Sequence, residues 1–154
     1  MNIFPFFKKK RVFFSPKDQA QIVEAIRLAE TETSGEIRIF VESKNPFMDP
    51  IDRAKEIFFQ LKMANTQDRN AVLFYIAMDD HELALFADEG IYKRLGAAYW
   101  DNAVKNMITF FTRDNISNGI ETCVQQIGAT LKSEFPYTAH TDKNELPDNI
   151  VFGK

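Results

Sequence analysis

The sequence predicts an α/β domain, a small mixed and mostly parallel sheet with helices packed against it. Three observations carry this. The stretch from Asn70 to Gly90 reads NAVLFYIAMDDHELALFADEG, in which two apolar runs of strand length are separated by Asp79-Asp80. Its first half, Ala71 to Met78, is rich in Val, Phe, Tyr and Ile, the composition of a strand buried on both faces. Asp79-Asp80 tolerate a left-handed turn, so Leu83 to Ala87 returns antiparallel as a hairpin, stopped by Asp88-Glu89-Gly90. Upstream, Glu36 to Glu42 alternates Ile37, Ile39 and Val41 with Glu36, Arg38, Phe40 and Glu42, the period of a half-covered strand. The segments around these strands carry apolar residues at helical spacing.

Taken in order, the chain begins with an apolar and basic tail, residues 1–12. Ile3, Phe4, Phe6 and Phe7 precede Lys8, Lys9, Lys10 and Arg11, the reverse of a secretory signal, and the apolar part is too short to span a bilayer. Cytoplasmic residence is therefore expected. Membrane contact is at most peripheral, the basic side chains meeting anionic lipid at about 1 kcal/mol each. The main domain is read over 13–135. Ser15-Pro16 starts its first helix as N-cap and first helical residue, and the helix should run to about Glu32 with Ile22, Val23, Ile26 and Ala29 on its inner face. After the alternating strand, Asp49-Pro50 opens a second helix by the same logic, with Ile51, Ala54, Ile57, Phe58 and Leu61 inward. Strand, helix and strand in succession make a right-handed crossover, so Glu36–Glu42 and Ala71–Met78 are expected to be parallel neighbours.

The rest is helical. Ile91 to Leu95 is a short turn of helix before Gly96. Trp100, Val104, Met107, Ile108 and Phe111 then face inward on one helix, and Ile116, Ile120, Val124, Ile127 and Leu131 on another capped by Asn115 or Ser117. Residues 136–154 form a strapping tail whose Pro147 fixes an extended path.

At 154 residues one domain with a full core is expected. The 22 acids against 19 bases give a formal charge of −3, which provides no broad field for nucleic acid. Cys123 is the single cysteine and lies beside an apolar helix face, so it reads as a small buried hydrophobe. Neither GxGxxG nor GxxxxGK[ST] occurs, His81 and His140 are far apart, and no GxSxG elbow is present. Phosphate cradles, zinc centres and a serine nucleophile therefore have no signature.

Several pieces fall in one order: Thr33-Ser34-Gly35-Glu36-Ile37-Arg38, Arg69-Asn70-Ala71-Val72-Leu73, Asp80 with its strand, Asp88-Glu89-Gly90-Ile91, Tyr99-Trp100-Asp101 and Asn144-Glu145-Leu146-Pro147-Asp148. In this order the chain resembles the TPM-domain family, and in particular its short bacterial members without signal or anchor. The resemblance implies a three-layer α/β/α sandwich, divalent-cation binding as in some members, and a weak acid phosphatase activity as in plant relatives. It also implies a LemA-like membrane protein as partner, since longer relatives occur beside such proteins. The chain departs from the long members at the hairpin, where it has Asp80-His81-Glu82 instead of Asp-Arg-Lys.

Acids are the only clustered functional groups. Asp79 and Asp80 stand at the hairpin tip beside His81, and Asp49 lies near the same edge because both follow the carboxyl ends of parallel strands. Glu36 and Asp88, with Asp68 and Glu89, form a second cluster at the opposite edge, roughly 20 Å away along a strand. The expected metal ligands are Asp79, Asp80, Asp88 and Glu36, with Asp80 first. Oxygen donors suit hard cations, and calcium comes ahead of magnesium because it accepts irregular cages. The competing reading is that these acids are turn formers and solvated charges. The expected function is a divalent-cation-binding interaction or regulatory module; the alternative is a weak metal-dependent phosphomonoesterase.

Overall fold

The computed structural model describes residues 13–46, 48–112, 116–137 and 149–153, and only the backbone of 111 and 112. The first helix, α1 (Pro16–Glu30), opens as its sequence requires. Ser15 Oγ accepts the Asp18 amide at 3.1 Å and Pro16 needs no donor in the first turn. β1 (Glu36–Glu42), α2 (Pro50–Gln60), β2 (Ala71–Ala77) and β3 (Glu82–Ala87) follow. They are succeeded by α3 (Glu89–Leu95), α4 (Ala97–Thr112), α5 (Ile116–Glu134) and β4 (Val151–Phe152). The sheet order is β3-β2-β1-β4, with β1 parallel to both neighbours and only the β2–β3 hairpin antiparallel. The mixed, mostly parallel sheet is the predicted one.

Three layers follow from strand alternation. Ile37, Ile39 and Val41 share one face with Val72, Phe74 and Ile76 and pack under α1, α4 and α5. Leu73, Tyr75, Ala77 and Ala84 share the other face and pack under Ala54, Ile57 and Phe58 of α2. Each large aliphatic or aromatic side chain sealed here contributes about 1.5–3 kcal/mol by leaving water.

Ile51 and Ile108, expected to face inward, stand exposed at 46 % and 43 % on the outer sides of their helices, and the structure differs from expectation in three further places. The polar face of β1 is buried, with Glu36 at 2 %, Arg38 at 7 % and Glu42 at 4 % exposure. Burial is possible for Glu42 because its carboxylate takes both Arg53 N–H groups at 2.9 Å and the Tyr75 hydroxyl at 2.5 Å. Desolvation holds the Arg38 guanidinium below its ordinary pKa, opposed by the nearby Glu30 carboxylate. Secondly, α3 starts at Glu89, two residues early, because Asp88 caps it by accepting the Glu89 amide at 2.8 Å. Thirdly, Val151–Phe152 forms an edge strand beside Phe40 and Val41, where only a short apolar run was read. Ser117 lies inside α5, whereas the Asn115 cap, the 1–12 tail and the Asn144–Asp148 strap lie outside the described residues.

Cys123 is packed in the core at 4 % exposure, and burial pushes its thiol up to about 12. Because the folded value is raised, the associated stability is complete below about pH 9 and is lost as pH rises towards 12, at about 1.4 kcal/mol per pH unit. A disulfide reagent at pH 8 is expected to modify Cys123 only as fast as the protein unfolds. Rapid labelling of the native protein would contradict this placement.

Candidate functional site

The carboxyl ends of β1 and β2 lie at one end of the sheet, and their two loops converge there. The Met78 amide donates to Glu42 O at 2.9 Å and the Asp79 amide to Ser43 O at 2.8 Å, so the hairpin tip is fastened to the loop after β1. His81 closes the turn with φ 52°, a left-handed conformation that His adopts more readily than most residues. Asp80 Oδ2 accepts the Asn45 amide at 2.7 Å. The Asn45 side-chain amide donates to Glu82 Oε1 at 3.0 Å and to Met48 O at 2.6 Å. One asparagine thus holds Asp80 and Glu82 against the loop that leads into α2.

Across from them stands the first turn of α2. Asp49 caps it through its backbone, the Arg53 amide donating to Asp49 O at 3.0 Å, and its carboxylate makes no capping hydrogen bond. Asp52 lies three residues on, in the first helical turn, and is exposed. Together these elements enclose a recess of about 830 Å³ lined by Lys44, Asn45, Pro46, Met48, Asp49, Asp52, Asp80 and Glu82. Four carboxylates face one ammonium in that lining, a balance that favours cations over anions.

The sequence-predicted residues separate cleanly. Asp80 and Asp49 share the recess, whereas Asp79 is exposed at the hairpin and does not line it. Glu36 and Asp88 lie at the other end of the sheet. Glu36 pairs with Ala71 in register, and the Asp88 amide donates to Ala71 O at 2.9 Å, so one strand separates the two acids. Their backbones are therefore roughly 10 Å apart. Asp88 is 3 % exposed and is taken by Arg69, whose Nε and Nη2 donate at 2.7 and 2.8 Å. A bidentate guanidinium and a helix cap already use both its oxygens.

Sequence reasoning missed Asp52 and Glu82. A signal existed for Asp52, which is three residues after Asp49 and so lies on the same helix side; Glu82 opens β3 beyond the left-handed His81, so no strand period ties it to Asp80. The donor set of the recess is hard oxygen, which matches calcium or magnesium. Its geometry is open, since among the described residues no three acids, histidines or cysteines stand close enough to hold an ion together. Among the described residues, no helix is long and apolar enough to cross a membrane.

The model of the TPM domain matches residues 8–130. Among solved structures, the BA42 protein of the psychrophilic bacterium Bizionia argentinensis is 34 % identical with a TM-score of 0.86, over 94 % of this chain and 99 % of that one. The N-terminal domain of the cg2496 protein from Corynebacterium glutamicum is 10 % identical with a TM-score of 0.57, over 80 % and 84 % of the two chains, a likeness of fold alone. No curated protein matches the chain. The domain match and the BA42 likeness, together with the mixed sheet sandwiched between helices, place the chain in the TPM-domain family.

Proposed function

We propose that this TPM domain is an interaction module that takes up a divalent cation in the acidic recess at the carboxyl ends of β1 and β2. The observation that carries the reading is the lining itself, Asp49, Asp52, Asp80 and Glu82 against Lys44 alone. Two carboxylates are already fixed by Asn45, and those of Asp49 and Asp52 have no ion-pair partner among the described residues. Because no three of these acids stand close enough to hold an ion together among the described residues, an ion here would take at most two carboxylates directly, one from each wall, and complete its shell with water. Calcium tolerates such a shell, taking 6–8 oxygens in flexible geometry, whereas magnesium demands a near-ideal octahedron. The open arrangement suits weak binding, with a dissociation constant on the order of 10⁻⁴–10⁻³ M. A LemA-like membrane partner is carried in this reading from the family resemblance, and residence in the cytoplasm from the apolar-then-basic order of residues 3–11.

Phosphatase chemistry is the poorer reading. Phosphoryl transfer needs positive charge around the non-bridging oxygens, and the recess supplies Lys44 among acids. Any turnover of a generic phosphomonoester is expected to be slow and to vanish with chelator, because metal-bound water is then the attacking group.

Calorimetric titration with calcium tests the module. Wild type is expected to bind in the range above, and the double variant Asp49→Asn/Asp80→Asn to bind at least about tenfold more weakly, in line with removal of two charged ligands. Equal binding by the variant would place the ion elsewhere. Robust turnover in chelator would replace the module with an enzyme.

A further inference from the structure

β3 is the terminal strand of the sheet, and its outer edge forms the floor of a second concavity. Along the ladder with β2, the Asp88 amide donates to Ala71 O, so by antiparallel alternation Phe86 and Ala84 also turn their peptide groups towards β2. Leu83 and Leu85 consequently turn their N–H and C=O groups outward. Among the described residues no strand pairs with them. Unpaired edge groups are a template for another strand, and proteins ordinarily blunt them with charge, proline or a bulge. Here the edge residues Leu83, Ala84 and Leu85 are apolar.

The edge is also recessed. Leu83, Ala84 and Leu85 are each 4 % exposed, while Ile51 on one bank and Tyr92 on the other stand at 46 % and 43 %. The groove between them has a volume of about 470 Å³, within the usual range for ligand sites. Its banks come from different layers, Pro50 and Ile51 from α2, and Tyr92, Trp100 and Val104 from α3 and α4, the second bank rimmed by Asp101 and Lys105. Trp100 is 4 % exposed, and its indole N–H has no acceptor among the described residues, an uncommon state for a buried donor.

These features together specify the occupant. A second copy of this domain presents the same sunken edge between the same banks, so two β3 edges do not meet. A single extended segment fits, because it brings peptide groups at strand spacing for Leu83 and Leu85 and side chains that alternate towards the two banks, apolar apart from Asp101 and Lys105 at the rim of one. We infer that the β3 edge binds an extended, apolar-alternating peptide segment of a partner protein by strand addition, between Ile51 of α2 and Tyr92 and Trp100 of the other layer. The groove shares no lining residue with the acidic recess, so either assignment can fail while the other stands.

The test uses the full chain and a displayed library of random octapeptides. The expected result is enrichment of proline-free sequences with apolar residues at every second position. Synthetic copies of the selected peptides then protect the Leu83 and Leu85 amides from hydrogen exchange and move the Trp100 indole N–H resonance. N-methylation of the peptide amides on the pairing side weakens binding by about tenfold or more, since each removes a backbone hydrogen bond. Ile51→Asp, an exposed position that leaves the fold intact, has a comparable effect. No enrichment, binding indifferent to N-methylation, or resonance changes away from β3 would each overturn the inference.

Discussion

Arg53→Met is expected to destabilise the domain by about 3–5 kcal/mol, because it strands a buried carboxylate. Glu42 sits with its side chain 6 % exposed between Arg53, 16 % exposed, and the Tyr75 hydroxyl. The hydrogen bonds and charge of Glu42, aided by the Glu56 carboxylate, hold the Arg53 guanidinium well above its ordinary pKa against its burial, and burial with the adjacent Glu42 carboxylate raises the Tyr75 phenol. Removing the cation leaves Glu42 with one neutral donor. The double variant Glu42→Gln/Arg53→Met is expected to recover part of the loss, since the Gln carbonyl still accepts the Tyr75 hydroxyl and no charge is buried. Urea unfolding of wild type, single and double variants measures this, with a lower transition temperature of about 2–4 °C per kcal/mol as a second readout. A loss below about 1 kcal/mol for Arg53→Met would mean that water reaches Glu42 and that the network is a surface pair.

Gly90→Ala is the second large effect, with an expected loss of about 3 kcal/mol or more. A Cβ at Gly90 would collide with the Asp68 carbonyl and come within 2.6 Å of Arg69 O. These atoms are backbone, and the Gly90 amide is tied to Arg69 O at 2.9 Å, so no side-chain rotation relieves the contact. The close approach brings the start of α3 against the chain entering β2 and sets the Arg69–Asp88 pair in place. Gly96→Ala is the internal control. Gly96 has φ +80° and ψ 161°, an essentially glycine-only conformation, with nothing within 4 Å of a new Cβ, so its replacement costs conformational strain of about 1–3 kcal/mol without a clash. Thermal unfolding of both variants should separate them; an equal loss would show that the α3–β2 approach relaxes freely.

The strands were legible because their signals are local. Ala71 to Ala77 is apolar throughout and β1 alternates, and both properties are written in consecutive residues. What was illegible depends on distant pairs. Nothing in the alternation of β1 says whether its polar face meets water or Arg53 and Tyr75, which lie 11 and 33 residues from Glu42. β4 is too short to carry a period, and its pairing with Phe40 and Val41 spans most of the chain. The site shows the same division. Asp49 and Asp80 could be brought together from the sequence because parallel strands deliver their carboxyl-end loops to one place. Asp88 reads from the sequence as a metal ligand, because its actual partner, Arg69, lies before another strand and its pairing is not written in neighbouring residues.

In the proposed module a divalent cation enters at the acidic recess. Titrating isotope-labelled protein with calcium and following backbone amide shifts tests this residue by residue. Saturable shifts are expected centred on Lys44, Asn45, Asp49, Asp52 and Asp80 to Glu82, and none around Glu36 or Asp88 to Gly90. Shifts confined to Glu36 and Asp88 to Gly90, or no response at roughly 10 mM calcium, above the affinity range expected for an open oxygen site, would contradict it.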